Sequence, residues 1–293
     1  MKRIGILTAG GDTPALNATI HGAVERANEL NLEVIGLIKG FNSLYNERLP
    51  HVPLNPLFQE IPELDPANGG TILGSSRDYV DPDNKEQLDI IEKRLEQLGI
   101  EGLICIGGDG TLNGLQPLAD RLPVVLAPKT IDNDVIGTDL TFGFQSAVEV
   151  ATEALDRVHS TAESHGRALV VEVMGRNAGW IALRAGVAGG ADVILLPEIP
   201  FEIDRVVEQV EWRRSLGRRC TILCVAEGAA PVGGEQIVHA LDPTSPDPVK
   251  LGGVGAWVAA QIDARSEVEA RAVTLGHTQR GGSPVPGDRV LGT

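Results

Sequence analysis

Glycines and carboxylates occur together at three points of the sequence, and each group directly follows a short apolar run. The residues read Gly-Gly-Asp-Thr-Pro at 10–14, Gly-Gly-Asp-Gly-Thr at 107–111 and Pro-Lys-Thr-Ile-Asp-Asn-Asp at 128–134. Glycine lets a backbone approach a ligand closely, and the free N–H groups at the start of a following helix bind phosphate. These three segments therefore indicate chemistry on phosphate groups.

The second segment places one carboxylate among three glycines. Its backbone N–H groups can surround a polyphosphate, while Asp109 holds Mg²⁺ through water. A turn with a purely structural role would not need the acid, so this segment is the more specific signal.

The third segment combines two carboxylates, Asp132 and Asp134, with Lys129. Phosphoryl transfer to an alcohol needs a base for the hydroxyl proton and a cation that stabilises charge on the moving group. This segment supplies both. Residues 69–77 add a glycine-rich loop that ends in a cation, Arg77, and this loop is not specific by itself.

The elements that position these segments alternate between short apolar runs and longer amphipathic ones, which predicts alternating strands and helices. The apolar runs predict strands at residues 4–8, 32–37, 102–106, 123–127, 168–173, 191–196, 220–225 and 270–275. The amphipathic stretches predict helices at residues 17–30, 84–98, 142–160, 177–187, 203–216 and 255–264. The last residues, 290–293, follow a strand and a loop with no closing helix, so we expect a truncated chain.

Continuous apolar strands that alternate with helices are typical of parallel sheets covered on both faces. The number of strands is too large for one sheet. We therefore expect an α/β protein of two doubly wound, Rossmann-like domains with mainly parallel sheets. The active site should lie in a cleft between them, at the carboxyl ends of the strands.

The bulk composition excludes several classes of function. The formal net charge of −15 argues against binding to nucleic acid or to an acidic membrane, both of which need a basic face. No apolar run reaches the roughly 20 residues of a membrane span. Three scattered cysteines, Cys105, Cys220 and Cys224, suggest a reducing compartment, so we expect a cytoplasmic protein.

Seven motifs in order resemble the 6-phosphofructokinase family, from the first residue to the last. Besides the three segments above, they are Gly-Gly-Thr-Ile-Leu-Gly-Ser-Ser-Arg at 69–77, Met-Gly-Arg at 174–176, Ala-Glu-Gly at 226–228 and Leu-Gly-His-Thr-Gln-Arg-Gly-Gly at 275–282. The resemblance implies a Mg²⁺-dependent kinase that phosphorylates the 1-hydroxyl of fructose 6-phosphate. It also implies that residues 1–138 and 278–293 bind the phosphoryl donor and that residues 139–277 bind the sugar phosphate.

The resemblance assigns roles residue by residue. Asp132 matches the general base, Asp134 helps to organise its loop, and Asp109 matches the acid associated with Mg²⁺. Lys129, Thr130 and Arg176 match groups that steady the transferred phosphoryl. The nucleotide and phosphate contacts are Gly11, Arg77, Gly108, Asp109, Gly110 and Thr111. The sugar-phosphate contacts are Thr130, Ile131, Asp132, Arg167, Met174, Gly175, Arg176, Glu227, Arg271, His277, Thr278, Gln279 and Arg280.

Arg167 and Arg271 match arginines that reach the 6-phosphate across a subunit interface. The resemblance therefore implies a homo-oligomer, a dimer or a tetramer, with shared active sites.

The sequence also departs from the family pattern at the donor site. Pyrophosphate-using members carry Asp at position 110 and Lys at 129, whereas typical bacterial ATP users carry Gly at both. This chain combines Gly110 with Lys129. An Asp at 110 would repel the α-phosphate of ATP, so Gly110 favours ATP as the donor. Pyrophosphate remains the alternative donor, and sedoheptulose 7-phosphate remains an alternative acceptor. A catalytically impaired binding or regulatory subunit is the alternative to an active enzyme.

A second departure lies on the first helix. Well-known bacterial members carry two arginines there, one turn apart, in an effector site, and this chain has His21 and Glu25 at those positions. Because Glu25 would repel a phosphorylated effector, we expect a weak or absent response to ADP or phosphoenolpyruvate.

Overall fold

The computed structural model describes residues 2–78, 80–81, 83–241 and 248–293. The strands in this part of the chain are β1 Arg3–Thr8, β2 Glu33–Leu37, β3 His51–Pro53, β4 Leu103–Gly107, β5 Val124–Thr130, β6 Phe142–Gly143, β7 Ala168–Val173, β8 Val193–Leu195, β9 Thr221–Ala226, β10 Val238–Leu241, β11 Val249–Leu251 and β12 Ala270–Thr274. The helices are α1 Leu16–Glu29, α2 Asn42–Tyr45, α3 Lys85–Leu98, α4 Asp109–Ala119, α5 Phe144–His165, α6 Trp180–Ala188, α7 Ile203–Ser215, α8 Val254–Arg265 and α9 Pro286–Gly292. Two short 3-10 turns span Pro56–Phe58 and Gly276–Arg280.

Helix α3 shows how local sequence sets the boundaries of an element. Asn84 caps its start, because the side chain accepts a hydrogen bond of 3.0 Å from the Gln87 N–H. Gly99 ends it in the left-handed conformation that glycine adopts without strain. Apolar side chains between these caps repeat at helical spacing and are buried: Leu88, Ile91, Leu95 and Leu98.

The chain divides into two compact units. The first contains residues 1–130, 134–145 and 280–293, and the second contains residues 131–133 and 146–279. In the first unit the strand order is β3-β2-β1-β4-β5-β6. Strand β3 runs antiparallel to β2, and the other pairings are parallel.

Both faces of the first sheet are covered. Ile6 on β1 packs with α1 residues such as Leu16 and Ile20, whereas its neighbour Leu7 packs with α3 residues such as Ile91. Successive side chains of a strand point to opposite faces, so this alternation places one helix layer on each side of the sheet. The two layers explain why β1 reads as a continuous apolar run.

The second unit contains an all-parallel sheet of order β12-β7-β9-β8. Every residue of β7 and of β9 is buried. Helices α7 and α8 contribute Val206, Val210, Val258 and Ile262 to the apolar core that covers this sheet. The antiparallel pair β10–β11 stands apart from it.

The predicted fold class, an α/β protein with doubly wound, mainly parallel sheets, is confirmed. No helix in the described residues is both long and apolar enough to cross a membrane. The predicted strands and helices are present, with most ends shifted by one to three residues.

Three predictions of local structure were wrong. Strand β5 continues to Thr130 because Lys129 and Thr130 gain a pairing partner in β6, so these two residues lie in a strand and not in a loop. Helix α5 begins only after this pairing and runs on to His165. The chain does have a closing helix, α9, which starts with Pro286 in its first turn and packs against α1 near Gly22.

Several elements had no clear sequence signal. Helix α4 is not among the predicted helices, because the glycines on both sides of Asp109 obscure its start. The short strand β3, the one-turn helix α2 and the exposed pair β10–β11 depend on packing and pairing with distant segments.

A buried carboxylate anchors a helix in the second unit. Glu172 on β7 is 2% exposed and accepts hydrogen bonds from the N–H groups of Gly253, at 3.1 Å, and Gly255, at 2.7 Å. These groups form the N-terminus of α8, where the helix dipole also favours a negative charge. Glu172 therefore joins α8 to the central strand of its sheet.

Replacing Glu172 by Ala should lower the free energy of unfolding by about 2–4 kcal/mol, because buried N–H groups lose their acceptor. Urea denaturation of Glu172→Ala measures the change. Glu163→Ala, which removes an exposed carboxylate of α5, serves as the control and should stay within about 0.5 kcal/mol of the parent. Equal stability of the two variants would contradict the anchoring role.

Candidate active site

The first glycine segment leaves the carboxyl end of β1 and is held by the loop at residues 68–77. The Gly10 N–H donates to Ser76 O at 2.8 Å, and Ser75 Oγ donates to Gly10 O at 2.7 Å. Asn17 on α1 holds the other end of that loop, since its amide donates to Asn68 O and accepts from the Ile72 N–H. These bonds bring the Gly-Gly-Asp turn and the loop that ends at Arg77 together, and Arg77 itself is exposed.

Arg280 lies against the same turn. Its Nη1 donates to Asp12 O at 3.1 Å, and a Cβ at position 11 would lie only 2.7 Å from that nitrogen. Gly11 is therefore required for the guanidinium group to stay in place. Arg280 groups with the first unit, whereas the other predicted sugar-phosphate contacts of the same motif, residues 277–279, group with the second.

Lys129 runs beneath the glycine turn. The residue is 3% exposed, and its Nζ donates a hydrogen bond to Gly11 O. A Cβ at position 10 would lie 3.6 Å from Lys129 Nζ and 3.7 Å from Thr111 Oγ1. The three segments that contain Gly10, Thr111 and Lys129 therefore meet around the ammonium group, although the first and the last are more than 100 residues apart in sequence.

The second glycine segment is the start of a helix. Strand β4 ends at Gly107, Gly108 has an extended backbone at the N-cap, and α4 begins at Asp109. Thr111 is buried and its side chain occupies the space that a Cβ at position 107 would need. The Thr111 N–H already donates to Gly108 O at 3.0 Å, so the N–H groups of the two helical residues before it are the ones in position to bind phosphate.

Space is open above this helix start. Among the described residues, and apart from its chain neighbours and the backbone of its own helix, no heavy atom lies within 4 Å of the place where a Cβ of Gly110 would stand. Asp109 is exposed, and its Oδ2 accepts a hydrogen bond of 3.4 Å from Asn113. An anionic chain can therefore approach the N-terminus of α4 beside a carboxylate with accessible oxygens.

The two aspartates of the third segment differ in exposure. Asp132 is 6% exposed and groups with the second unit, whereas Asp134 is exposed and groups with the first. Asn133 between them has a φ of 55°, a left-handed conformation that asparagine tolerates better than most residues. The side chain of Ile131 is fully buried, so only its backbone is available to a ligand.

In the second unit, two strand ends are joined by hydrogen bonds. The Arg176 N–H, beyond β7, donates to Glu227 Oε1, beyond β9, at 3.1 Å. A Cβ at Gly228 would lie 1.9 Å from Arg176 O, so the close approach of the two loops requires glycine. The motifs that contain Met174–Arg176 and Glu227 are therefore in contact.

Gln236 was missed by sequence reasoning. Its Nε2 donates to Gly228 O and to Asn177 Oδ1, both at 3.0 Å, and so joins the same two loops. Gln236 lies in no recognisable motif, and only its position after the second loop could have suggested this role.

Two carboxylates, Asp132 and Glu172, influence Glu227. Its pKa is raised to about 7, chiefly by burial and in part by these two negative charges, while the hydrogen bond from the Arg176 N–H and the Arg176 guanidinium oppose the rise. A carboxyl with a pKa near neutrality can accept or donate hydrogen bonds to sugar hydroxyls according to its protonation state.

Arg167 and Arg271 lie at the opposite end of the second unit's sheet from Met174 and Glu227. Arg167 precedes β7 and Arg271 is the second residue of β12, so both mark the amino end of the sheet whose carboxyl end carries Met174 and Glu227. Glu269 pairs with both, through Arg167 Nε at 2.6 Å and through Arg271 Nη2. A six-residue strand spans roughly 20 Å, so one copy of the chain does not bring these arginines to the other residues of the second unit's site.

The last motif forms the 3-10 turn Gly276–Arg280. His277 and Thr278 are exposed, and Thr278 Oγ1 donates to Leu275 O at 2.7 Å. Gln279 is fully buried, and its Nε2 donates to Gly276 O at 3.1 Å. The side chain of Gln279 therefore supports the turn in this structure, while His277 is accessible to a ligand.

Comparison with known proteins agrees with these motifs. A family model described as phosphofructokinase matches residues 3–293. The chain is 46% identical over 303 residues to the ATP-dependent 6-phosphofructokinase of Chloroflexus aurantiacus, covering 100% of this chain and 81% of the relative. It is 49% identical over 294 residues to the pyrophosphate–fructose 6-phosphate 1-phosphotransferase of Amycolatopsis methanolica, covering 99% and 84%. Among solved structures, phosphofructokinase from Saccharomyces cerevisiae has a TM-score of 0.81 at 30% identity, with 100% of this chain matching 40% of that one.

The backbone of Arg176 supplies one test of this site. Its φ of 52° is a left-handed conformation, which is unfavourable by roughly 1 kcal/mol for a residue with a Cβ. Arg176→Gly and Arg176→Ala both remove the guanidinium group, but only glycine relieves this strain. We expect Arg176→Gly to be more stable than Arg176→Ala by about 1 kcal/mol in urea denaturation. Equal stabilities would mean that the turn relaxes without cost.

The pKa of Glu227 supplies a second test. Because it is raised from 4.5 to about 7, the unfolded chain loses this proton before the folded chain does, and stability falls as pH rises through that window. Glu227→Gln removes the penalty and should stabilise the protein at pH 8 by an amount on the order of 2 kcal/mol. At pH 4 the variant and the parent should be nearly equal. A difference that is the same at both pH values would show that burial does not shift this group.

Proposed function

Because the chain belongs to the phosphofructokinase family, we propose that it transfers the γ-phosphoryl group of ATP to the 1-hydroxyl of fructose 6-phosphate. The products are fructose 1,6-bisphosphate and ADP. One observation carries the choice of donor: the space beside Gly110 at the start of α4 is open among the described residues.

The donor site belongs to the first unit. The N–H groups at the start of α4 and the turn at Gly10–Gly11 bind the phosphate chain, and Arg77 and Thr111 contribute polar contacts. Because position 110 carries no side chain, the α-phosphate of a nucleotide meets neither bulk nor negative charge there. This is the feature that favours ATP over a donor with only two phosphates.

The reacting groups come from the third segment and from Arg176. Asp132 accepts the proton of the 1-hydroxyl as the oxygen of that group bonds to the γ-phosphorus, and the bond from this phosphorus to the bridging oxygen of ADP breaks. Lys129, Thr130 and Arg176 stabilise the charge that develops on the transferred group. Asp134, next to this loop, helps to hold its shape.

Mg²⁺ fits the donor site. Asp109 presents exposed carboxylate oxygens at the start of α4, and such oxygens are the ligands that Mg²⁺ prefers. The ion, when bound, would neutralise phosphate charge. Asp109 would hold it, directly or through water, while the neighbouring N–H groups orient the phosphates.

The sugar phosphate is bound by the second unit and by Arg280. Glu227 and the backbone at Met174–Gly175 contact the sugar hydroxyls, and His277 and Thr278 present exposed polar groups in the turn that precedes Arg280. The 6-phosphate is bound by Arg167 and Arg271 of a second copy of the chain, since in one copy they lie at the amino end of the sheet. The enzyme is accordingly a homo-oligomer. We place it in the cytoplasm, as its three free thiols favour a reducing compartment.

A donor assay tests the proposal. Purified protein is mixed with fructose 6-phosphate and Mg²⁺, and fructose 1,6-bisphosphate is followed with ATP or with pyrophosphate. We expect turnover with ATP, and we expect Asp132→Asn to lower kcat at least 10²-fold because the base is lost. Gly110→Asp should lower kcat/KM for ATP by at least about 10²-fold through repulsion of the α-phosphate. Failure with both donors would favour a binding or regulatory subunit.

Pyrophosphate is the second candidate donor. Lys129 supports it, because an ammonium group beneath the glycine turn can bind a terminal phosphate of either donor, and a relative named as a pyrophosphate enzyme is 49% identical. Turnover with pyrophosphate and not with ATP would mean that Lys129, and not Gly110, decides the donor.

A further inference from the structure

Three metal-binding side chains meet on the surface of the first unit, apart from the residues assigned to the reaction. His21 and Glu25 lie one turn apart on α1, and Glu60 comes from the segment that follows the Pro56–Phe58 turn. One potential ligand atom from each residue can be chosen so that all three lie within 4.8 Å of one another. We refer to His21, Glu25 and Glu60 as the α1 triad.

We propose that the α1 triad is a binding site for a divalent transition-metal ion, with Zn²⁺ as the best match. One imidazole nitrogen and two carboxylates suit Zn²⁺, whereas Mg²⁺ prefers oxygen ligands alone. His21 Nε2 lies 3.4 Å from Glu60 Oε2. Two ligands that each stand ~2.0–2.1 Å from one tetrahedral ion are ~3.4 Å apart, so this pair already has the spacing of a shared ion.

Buried polar atoms support the proposal independently. Glu60 Oε1 and His21 Nδ1 are both shielded from solvent and have no hydrogen-bond partner among the described residues. A buried polar atom without a partner is destabilising. A cation bound to the Glu60 carboxylate would compensate Oε1. His21 would bind the ion through Nε2, so its Nδ1 gains no partner from the ion.

The charges in and around the α1 triad also favour a bound cation. Glu25 and Glu60 present carboxylate oxygens within 4.8 Å of each other, and two negative charges this close repel. The arginine next in sequence, Arg26, is paired with Glu29 instead. A divalent ion would relieve the repulsion between the two carboxylates.

The backbone that carries the triad is well anchored. Helix α1 is buried along Ile20 and Val24, and the Ile61 N–H next to Glu60 donates to Leu54 O at 3.2 Å. The ligands therefore come from elements that are already in place, which lowers the ordering cost of binding. An ion here would join α1 to the segment at residues 54–64 and stabilise the first unit.

Isothermal titration of the metal-free full chain with Zn²⁺ tests the proposal. We expect one site per chain that survives millimolar Mg²⁺ and raises Tm by several degrees. Glu60→Gln should weaken this binding at least tenfold and abolish the Tm shift. Glu29→Gln, a carboxylate on the same helix outside the triad, is the matched control and should leave both unchanged.

Co²⁺ provides a second readout, because the visible spectrum of the bound ion reports its ligands. The spectrum of the parent should change in His21→Gln, which also serves if Glu60→Gln fails to fold. Absence of a Zn²⁺ site in the parent would overturn the proposal. So would Zn²⁺ binding that is equally strong in the parent, Glu60→Gln and His21→Gln, since the ion would then be bound elsewhere. Neither result depends on the phosphotransferase activity.

Discussion

The burial of one ammonium group constrains the organisation of the first unit. Lys129 is almost inaccessible to water, and a buried charge is tolerated only where polar groups surround it. The carbonyl of Gly11 is one such group, which means that the first glycine turn must lie directly over the end of β5. The pairing of Lys129 and Thr130 with β6 holds the backbone of the lysine in the sheet.

Glycine then has a different function at each position of this site. At Gly11 the space of a side chain is taken by the guanidinium group of Arg280, and at Gly107 it is taken by Thr111. At Gly110 the corresponding space is open. Of these three glycines, only Gly110 leaves room for part of a ligand, so it is the one that bears on the identity of the donor. Three glycines that look equivalent in sequence are distinguished by their neighbours in space.

Three carboxylates lie close to one another in the second unit. The pKa of Glu227 is raised chiefly because the carboxyl is buried, and the charges of Asp132 and Glu172 add to the effect. Glu172 is stabilised by the N–H groups of α8, whereas Glu227 receives the N–H of a strained Arg176. Strain of this kind persists only where surrounding contacts outweigh it, and it often marks functional positions. The partners of Arg176 and Glu227 hold both residues at the carboxyl ends of their strands, where ligands of such sheets bind.

The sequence by itself determined the fold class and most strands and helices, because apolar periodicity is a local property that burial on two sheet faces enforces. The sequence also indicated phosphate chemistry, since glycines next to a carboxylate at the end of a strand have few structural roles. Only the tertiary structure decided which residues meet. Pairing with β6 places Lys129 and Thr130 in strand β5, beyond the end that the sequence predicted. Gln236 belongs to no sequence motif, yet its side chain joins two loops by hydrogen bonds. In the α1 triad, His21 and Glu25 are one helical turn apart, but Glu60 lies 35 residues further along the chain than Glu25. Contacts between distant segments depend on how the sheet orders its strands, and this order is a property of the whole chain that no local pattern contains.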